Sequence, residues 1–316
     1  MTETDISIII ATRNREQILL QTLKKACAAI ENTNAEIVVV NDGDNDLKLP
    51  GEILDKIKLF KTSKRGVASA RNSGADNAKG SILFFVDDDM WINSGIIDWI
   101  NGYIIKDKKT DAAYNINWEY PGTLNEKLHN SKIGQYILSN RYNSMWGRMH
   151  EKGDEPKKGL YPFNIVSSCS LIMSKKIFEE TGRYNEAMIF QGEDIDLSNK
   201  LNNLSIPIYC VFDVTLHHNH QDRLEIKSFL KRDSDGFESE FKAVESGFIK
   251  PNSDISYTGM KRVMLEGFGA TEKIWILFLK AIPNRKIFNS VNNKIIGALG
   301  SLQRYKQWVK ILGKNR

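Results

Sequence analysis

Cysteine is scarce in this chain of 316 residues: Cys27, Cys169 and Cys210 lie far apart and form no CxxC pair. That spacing argues against a disulfide framework, and the three read as reduced core thiols. Long apolar runs are missing as well, since none approaches the roughly 20 residues that a membrane span requires. The first residues, Met1 to Asp5, are polar and acidic and lead directly into an apolar run. They predict no secretory leader, and so a cytoplasmic protein, either free or peripheral on the inner face of the cell membrane. There is no internal repeat and no low-complexity linker. Gly267-Phe268-Gly269 opens like a dinucleotide fingerprint but lacks the third glycine and the preceding strand. Acidic residues disappear at one end. From Lys273 to Arg316 there are ten Lys or Arg and no Asp or Glu, so the net charge of +5 leaves the preceding residues at −5. This asymmetry predicts an acidic body and a basic tail facing something anionic.

What is present is ordinary globular composition, 41% hydrophobic and 26% charged, enough for one large α/β domain with an appendage. Ile6 to Ile10, Ile37 to Val40, Ile57 to Phe60 and Ile82 to Val86 are short apolar runs that read as buried strands. Ile18, Leu19, Leu23 and Ala26 fall at helical spacing, and the small-residue stretch Ala68 to Ala78 reads as a second helix, ended by Gly80. Strands alternating with helices predict a mainly parallel central sheet covered on both faces. Ligands of such sheets bind at the carboxyl ends of the strands. Three strands end there in polar or acidic clusters, Thr12-Arg13-Asn14, Asn41-Asp42 and Asp87-Asp88-Asp89. Further on, Ile165 to Met173 reads as a strand, Lys175 to Thr181 as a helix closed by Gly182, and Ile206 to Leu216 as extended. Glu193-Asp194-Ile195-Asp196-Leu197 opens a helix.

The triplet of aspartates carries a physical argument of its own. Carboxylates at i and i+2 after a hydrophobic strand repel each other unless a cation joins them. A hard divalent ion, Mg²⁺ or Mn²⁺, accepts oxygen ligands and can bridge carboxylates to a diphosphate. The alternative is a solvated acidic loop with no ligand. For Asn41 and Asp42 the alternative is a turn built by Asn, Asp and Gly, and the two readings are compatible.

The ordered set of motifs goes further. Ser7 to Asn14, Val38 to Asp46, Lys64-Arg65-Gly66 with Ala70-Arg71-Asn72-Ser73-Gly74, and Phe84 to Asp89 are followed by Ser168-Cys169-Ser170-Leu171-Ile172, Gly182-Arg183-Tyr184-Asn185-Glu186 and Gly192-Glu193-Asp194-Ile195-Asp196-Leu197. Across roughly residues 5 to 220 this resembles the inverting family 2 glycosyltransferases, which have the GT-A fold. The resemblance implies a nucleotide-sugar donor, UDP-linked first among the choices, an acceptor hydroxyl on a glycan or glycolipid, and a divalent metal. It implies that Thr12, Arg13, Asn14, Asp42, Arg71, Asp87 and Asp88 surround the donor. Asp89 is similar to the direct metal ligand, and Asp87 to the position that more often faces the ribose. Glu193 and Asp194 match the ED motif, in which the aspartate is similar to the catalytic base; helix-start capping is the competing reading. His217, His218 and His220 follow an extended segment where related enzymes often place a metal-binding histidine. The offset from Asp213 favours His218, with a surface histidine cluster as the alternative. Imidazole suits Mn²⁺ better than Mg²⁺. Asn41 departs from the commoner paired aspartates of its loop.

The implied organisation is a nucleotide-sugar-binding half over 1–112, an acceptor-binding and catalytic half over 113–220, and a helical basic extension over 221–316. Trp118, Tyr120, Tyr142, Trp146 and Tyr161 fall where such enzymes shape the acceptor site, although aromatics in an α/β domain mostly fill core. In the extension, Ile287, Val291, Ile295, Leu299 and Leu302 follow helical spacing, as does Ile274 to Leu279, with Arg285, Lys286, Lys294, Arg304, Lys306 and Lys310 interspersed. Either this is a basic amphipathic surface on an anionic membrane, or it packs on the catalytic body or on another copy of the chain. No nucleic-acid-binding motif accompanies the charge. Two rival functions stand beside sugar transfer. A sugar-phosphate nucleotidyltransferase would need a glycine-rich first loop, which Ala11-Thr12-Arg13-Asn14 is not. The other rival is a silent nucleotide-sugar-binding protein.

Overall fold

The computed structural model describes residues 4–149, 156–188, 192–219, 224–245 and 257–314. They divide into two compact units, one built from residues up to 119 and from 144–219, the other from 120–143 and the described residues after 219.

The first unit runs β1 (Ile6–Thr12), α1 (Glu16–Ala29), β2 (Ala35–Asn41), α2 (Gly51–Leu54), β3 (Lys58–Lys61), α3 (Val67–Asn77), β4 (Ile82–Asp87), β5 (Met90–Trp91), α4 (Ser94–Trp99, continued by a π-helical stretch Ile100–Lys106) and β6 (Ala113–Glu119). The chain then contributes α5 (Gly122–Asn130) and α6 (Lys132–Ser139) to the second unit. It returns with α7 (Met145–Met149), β7 (Leu160–Phe163), β8 (Ser170–Ser174), α8 (Lys175–Glu180), α9 (Glu193–Asn203) and β9 (Ile208–His218). The second unit is completed by α10 (Ile226–Glu245), α11 (Gly259–Ala270), α12 (Glu272–Ala281) and α13 (Asn289–Lys314).

One sheet of nine strands organises the first unit, in the order β3-β2-β1-β4-β8-β6-β9-β5, with β7 paired to β9. The strands β3, β2, β1 and β4 are all parallel. Beyond β4 the sheet is mixed, β8 running antiparallel to both β4 and β6 while β6 and β9 are parallel. Ile8, Ile9 and Ile10 of β1 and Val38, Val39 and Val40 of β2 are fully buried, which is why these strands read as continuous apolar runs rather than alternating ones. The register places Thr12 beside Asn41 and Ala11 beside Asp87. The three polar strand ends therefore lie along one edge, as the strand-end rule requires.

The strand predicted from Ile165 begins at Ser170 instead. Between 166 and 168 the backbone is held by side chains: Val166 N donates to Ser198 Oγ at 2.8 Å, Ser167 O accepts from Asn115 Nδ2 at 2.9 Å, and Ser168 N donates to Asp194 Oδ1 at 3.1 Å. Those bonds satisfy groups that a ladder would otherwise use.

The second unit has its own core, in which Phe237, Phe241, Tyr257, Leu302, Tyr305 and Ile311 cluster. On α13, Ile295, Leu299 and Leu302 are buried, whereas Ile287, just before it, and Val291 are 80% and 43% exposed. The α13 part of the stripe foreseen along the tail is thus largely consumed by packing, whereas Ile274, Leu277 and Phe278 of the earlier run stay exposed. Among the described residues no helix is long and apolar enough to cross a membrane.

The small residues of α3 exist for close approach to β1 and β2. A Cβ on Gly74 would lie 2.3 Å from Ile9 Cγ2, and 3.5 Å from both Ile9 Cβ and Val40 Cγ2. Ile9 is β-branched and fully buried in a central strand, so it has little room to yield. Gly74→Ala is therefore expected to lower stability by about 1–3 kcal/mol, measured by urea or thermal unfolding; an unchanged midpoint would contradict this packing.

Candidate active site

The loop after β1 and the turn after β4 are joined by ion pairs. Thr12 Oγ1 donates to Asp88 Oδ2 at 2.7 Å, and Thr22 Oγ1 donates to the Asp88 carbonyl at 2.7 Å. Arg15 forks across two neighbouring acids, contacting Asp88 Oδ1 with one nitrogen and Asp89 Oδ2 at 2.9 Å with another. Burial pushes the Asp88 carboxyl up to about 7, against the lowering effect of Arg15. Asp89 is fully buried, and its Oδ1 lies 3.1 Å from His218 Nε2. That meeting follows from β5 pairing with β9, which sets Met90 opposite His218. Trp118 packs edge-on against the imidazole, ring centres 4.6 Å apart. His218 is buried, so the surface-cluster reading fails for it; His217 is half-exposed, 3.9 Å from Glu119, and His220 falls outside the described residues.

A second network ties the two sequence halves together. Arg71, buried on α3, places one guanidinium nitrogen 2.8 Å from Asp87 Oδ1 and another 2.7 Å from Glu193 Oε1. Its guanidinium also lies 5.6 Å from the centre of the Tyr184 ring. Asn72, the next residue, clamps the 182–186 loop, donating to Tyr184 O at 3.0 Å and accepting from Tyr184 N at 3.2 Å. Glu193 and Asp194 open α9 after Gly192, whose φ of 98° lies in the left-handed region that favours glycine. One oxygen of Asp194, Oδ1, accepts from both the backbone N and the hydroxyl of Ser168. Tyr184 OH in turn donates to Ser168 Oγ at 2.7 Å. Burial raises the Asp194 carboxyl to about 7, with the Glu193 charge adding to the rise and Arg71 and the Ser168 hydrogen bonds opposing it.

A third element completes the edge. Asn41 Oδ1 accepts from Gly43 N at 2.8 Å, which is the local turn expected of this sequence, and Asp42 Oδ1 accepts from Gly66 N at 2.9 Å. A Cβ on Gly43 would stand 2.7 Å from Asn14 Oδ1, so glycine lets the first two loops meet. Arg13 is half-buried and Asn14 exposed.

Cys169 reports how the acids converge. It is half-buried rather than a core thiol, and its pKa is pushed up to about 12, by burial first and then by the charges of Asp87, Asp194 and Asp89. Carboxylates from β4, from the turn after it and from α9 thus face one region. Thr12, Asp87, Asp88, Asp89, Arg71, Glu193, Asp194 and His218 are joined through these contacts, while Asp42 is bound to the Gly66 backbone beside them. Arg15, Asn72, Ser168 and Tyr184 belong to the networks but were not singled out from sequence. Arg15 could have been found as a cation three residues beyond a strand end, facing the acids of a neighbouring one. Among the described residues no three His, Cys, Asp or Glu side chains are grouped to hold a metal. Asp89 and His218 place a carboxylate and an imidazole in contact, ligand types that Mn²⁺ accepts, with Arg15 on the other Asp89 oxygen.

A sequence profile of Glycosyl transferase family 2 matches residues 7–182 of the chain. The chain belongs to glycosyl transferase family 2. GlyA of Streptococcus pneumoniae, a glycosyltransferase, is 30% identical over 63% of this chain, and an uncharacterized glycosyltransferase of Rickettsia typhi is 26% identical over 83%. The chain spans 28% of the length of GlyA and 29% of an uncharacterized glycosyltransferase of Rickettsia felis, but 75% of the Rickettsia typhi protein. Among solved structures, the mannosyltransferase PcManGT from Pyrobaculum calidifontis in complex with GDP-Man and Mn²⁺ is similar over 96% of this chain and 86% of its own, with a TM-score of 0.54 at 12% identity. The fold of this family 2 member is the GT-A fold, an α/β sheet with C-terminal helices.

The hydrogen bonds at Asp194 Oδ1 favour its charged form. Ser168→Ala removes one of them and is expected to move the Asp194 pKa upward from about 7, read by NMR titration of its carboxyl carbon. An unchanged or lowered value would show that the hydroxyl does not act on this carboxylate.

Proposed function

We propose that this glycosyltransferase moves a sugar from a nucleoside-diphosphate donor, UDP-linked as the first choice, to an acceptor hydroxyl on a glycan or lipid-linked glycan, with inversion. The observation that carries the reading is the Arg71 bridge. It links Asp87 at the donor-side strand end to Glu193, next to Asp194. Donor-handling and proton-accepting groups are thereby held in one network.

In this reading Asp194 is the base. Its pKa of about 7 matches the requirement that a general base be poised near the working pH. As the acceptor oxygen bonds to the anomeric carbon, its proton passes to the Asp194 carboxylate. The bond from that carbon to the phosphate oxygen breaks, and its electron pair leaves with the nucleoside diphosphate. Attack opposite the leaving group inverts the centre. With Oδ1 occupied by Ser168, Oδ2 is the oxygen available to the acceptor. Thr12, Arg13, Asn14 and Asp42 are assigned to the nucleoside end of the donor, and Arg71, Asp87 and Asp88 to its surroundings. Asp89 and His218 would hold a divalent ion, whose contribution is to stabilise negative charge on the departing diphosphate.

Three outcomes test this. UDP with Mn²⁺ is expected to raise the melting temperature of the wild-type chain and of Asp194→Asn, but not of Asp89→Ala. Asp194→Asn is expected to retain that binding while its transfer rate falls about 10²–10⁴-fold; undiminished transfer would remove Asp194 from the reaction. For the wild type, kcat/KM is expected to decline on the acid side with an apparent pKa of about 7, because the base must be ionised.

A further inference from the structure

The helices α11 and α12 have an arrangement that packing within their own unit does not explain. Seven of the ten residues of α12, Glu-Lys-Ile-Trp-Ile-Leu-Phe-Leu-Lys-Ala, are apolar, yet among its described residues Leu279 alone is buried. None of the described residues of α11 is buried. A helix that is apolar on all sides is normally enclosed. Here each helix uses one side for packing: Leu265 and Phe268 of α11 join the unit's core, and Trp275 of α12 stacks on Phe268 with ring centres 5.4 Å apart. The other sides point outward at helical spacing. Met260, Val263 and Met264 are 75%, 63% and 67% exposed, and Ile274, Leu277 and Phe278 are 64%, 64% and 48% exposed. The two helices meet at Thr271, which ends one and starts the other. Six large apolar side chains bared on two joined helices exceed the scattered exposure usual for a soluble surface.

The charge around this face selects its partner. Lys261, Lys273, Lys280 and Arg285 are exposed beside it. The nearby acids are already engaged: Glu266 with Arg262 at 2.8 Å and Tyr305 at 2.7 Å, and Glu272 with Lys306 at 2.5 Å and Gln303 at 2.6 Å. We propose that the outward face of α11 and α12 is a docking surface for an anionic phospholipid bilayer, its apolar side chains entering the acyl boundary and its lysines meeting the headgroups. A second copy packed through the same face would set these cations against one another, whereas anionic headgroups neutralise them. The assignment narrows the tail as read in sequence: it keeps the Ile274 to Leu279 run, adds α11, and leaves out α13, whose apolar stripe is largely internal.

The test is flotation of the full chain with phosphatidylcholine vesicles, with and without phosphatidylglycerol. The wild type is expected to float with the anionic vesicles and to be released by salt. Met264→Glu/Leu277→Glu is expected to lower the partition coefficient at least about tenfold, and Lys273→Glu/Lys280→Glu to abolish the preference for phosphatidylglycerol. All four positions are exposed, and circular dichroism checks that each variant is folded. Equal flotation of wild type and Met264→Glu/Leu277→Glu would overturn the proposal. So would no binding to anionic vesicles, or a wild-type dimer in solution that Met264→Glu/Leu277→Glu converts to monomer. Thermal shift with UDP and Mn²⁺ on the same samples reports separately on the transferase reading.

Discussion

A buried guanidinium between two carboxylates is the constraint on which the catalytic unit depends. Arg71 is 5% exposed, and a cation so far from water is tolerable only when its charge is met by well-placed anions. Asp87 and Glu193 meet it from opposite halves of the sequence. One ends a parallel strand, and the other starts a helix more than a hundred residues later. Removing either acid leaves one nitrogen of the buried guanidinium without its acceptor, a cost borne in the interior. The pairing also fixes the neighbours of these acids. Asp88 and Asp89 follow Asp87 into the turn that Arg15 holds, and Asp194 follows Glu193 to Ser168.

Two of the acids have pKa values near 7, with loss of solvent the largest cause at both, but their surroundings differ. Asp88 is enclosed by Thr12 and Arg15, contacts that belong to the scaffold beneath the strand ends. Asp194 is held at a single oxygen by Ser168, which leaves the other outside that pair of bonds. The carboxyl pKa of about 7 at both positions therefore does not tell the two acids apart; the hydrogen bonds around each one do.

The strand-end cluster was legible in the sequence because parallel strands buried on both faces are written as unbroken apolar runs, and polar residues that interrupt them mark where the strands stop. Ile6 to Thr12 and Ile82 to Asp87 are such cases. The ED pair was legible only through the resemblance, since acids in a first helical turn have an ordinary capping explanation. Contacts across long separations were not legible: nothing near Ser168 in sequence indicates that its backbone is bound by Asp194 rather than by a strand, and the strand was accordingly read too long. The helices α5 and α6 were missed because nine and eight residues carry too few apolar positions to display a period. The tail was read as one stripe where the structure has two kinds of helix: the apolar spacing of α13 mostly serves an internal core, while the Ile274 to Leu279 run is largely exposed.

Cys169 carries one more consequence. A thiol whose pKa is pushed up to about 12 stays protonated at neutral pH. Burial first, and then the charges of Asp87, Asp194 and Asp89, hold it in the protonated form, which alkylates slowly. A sulfur atom can thus stand among carboxylates without becoming a ready point of oxidation.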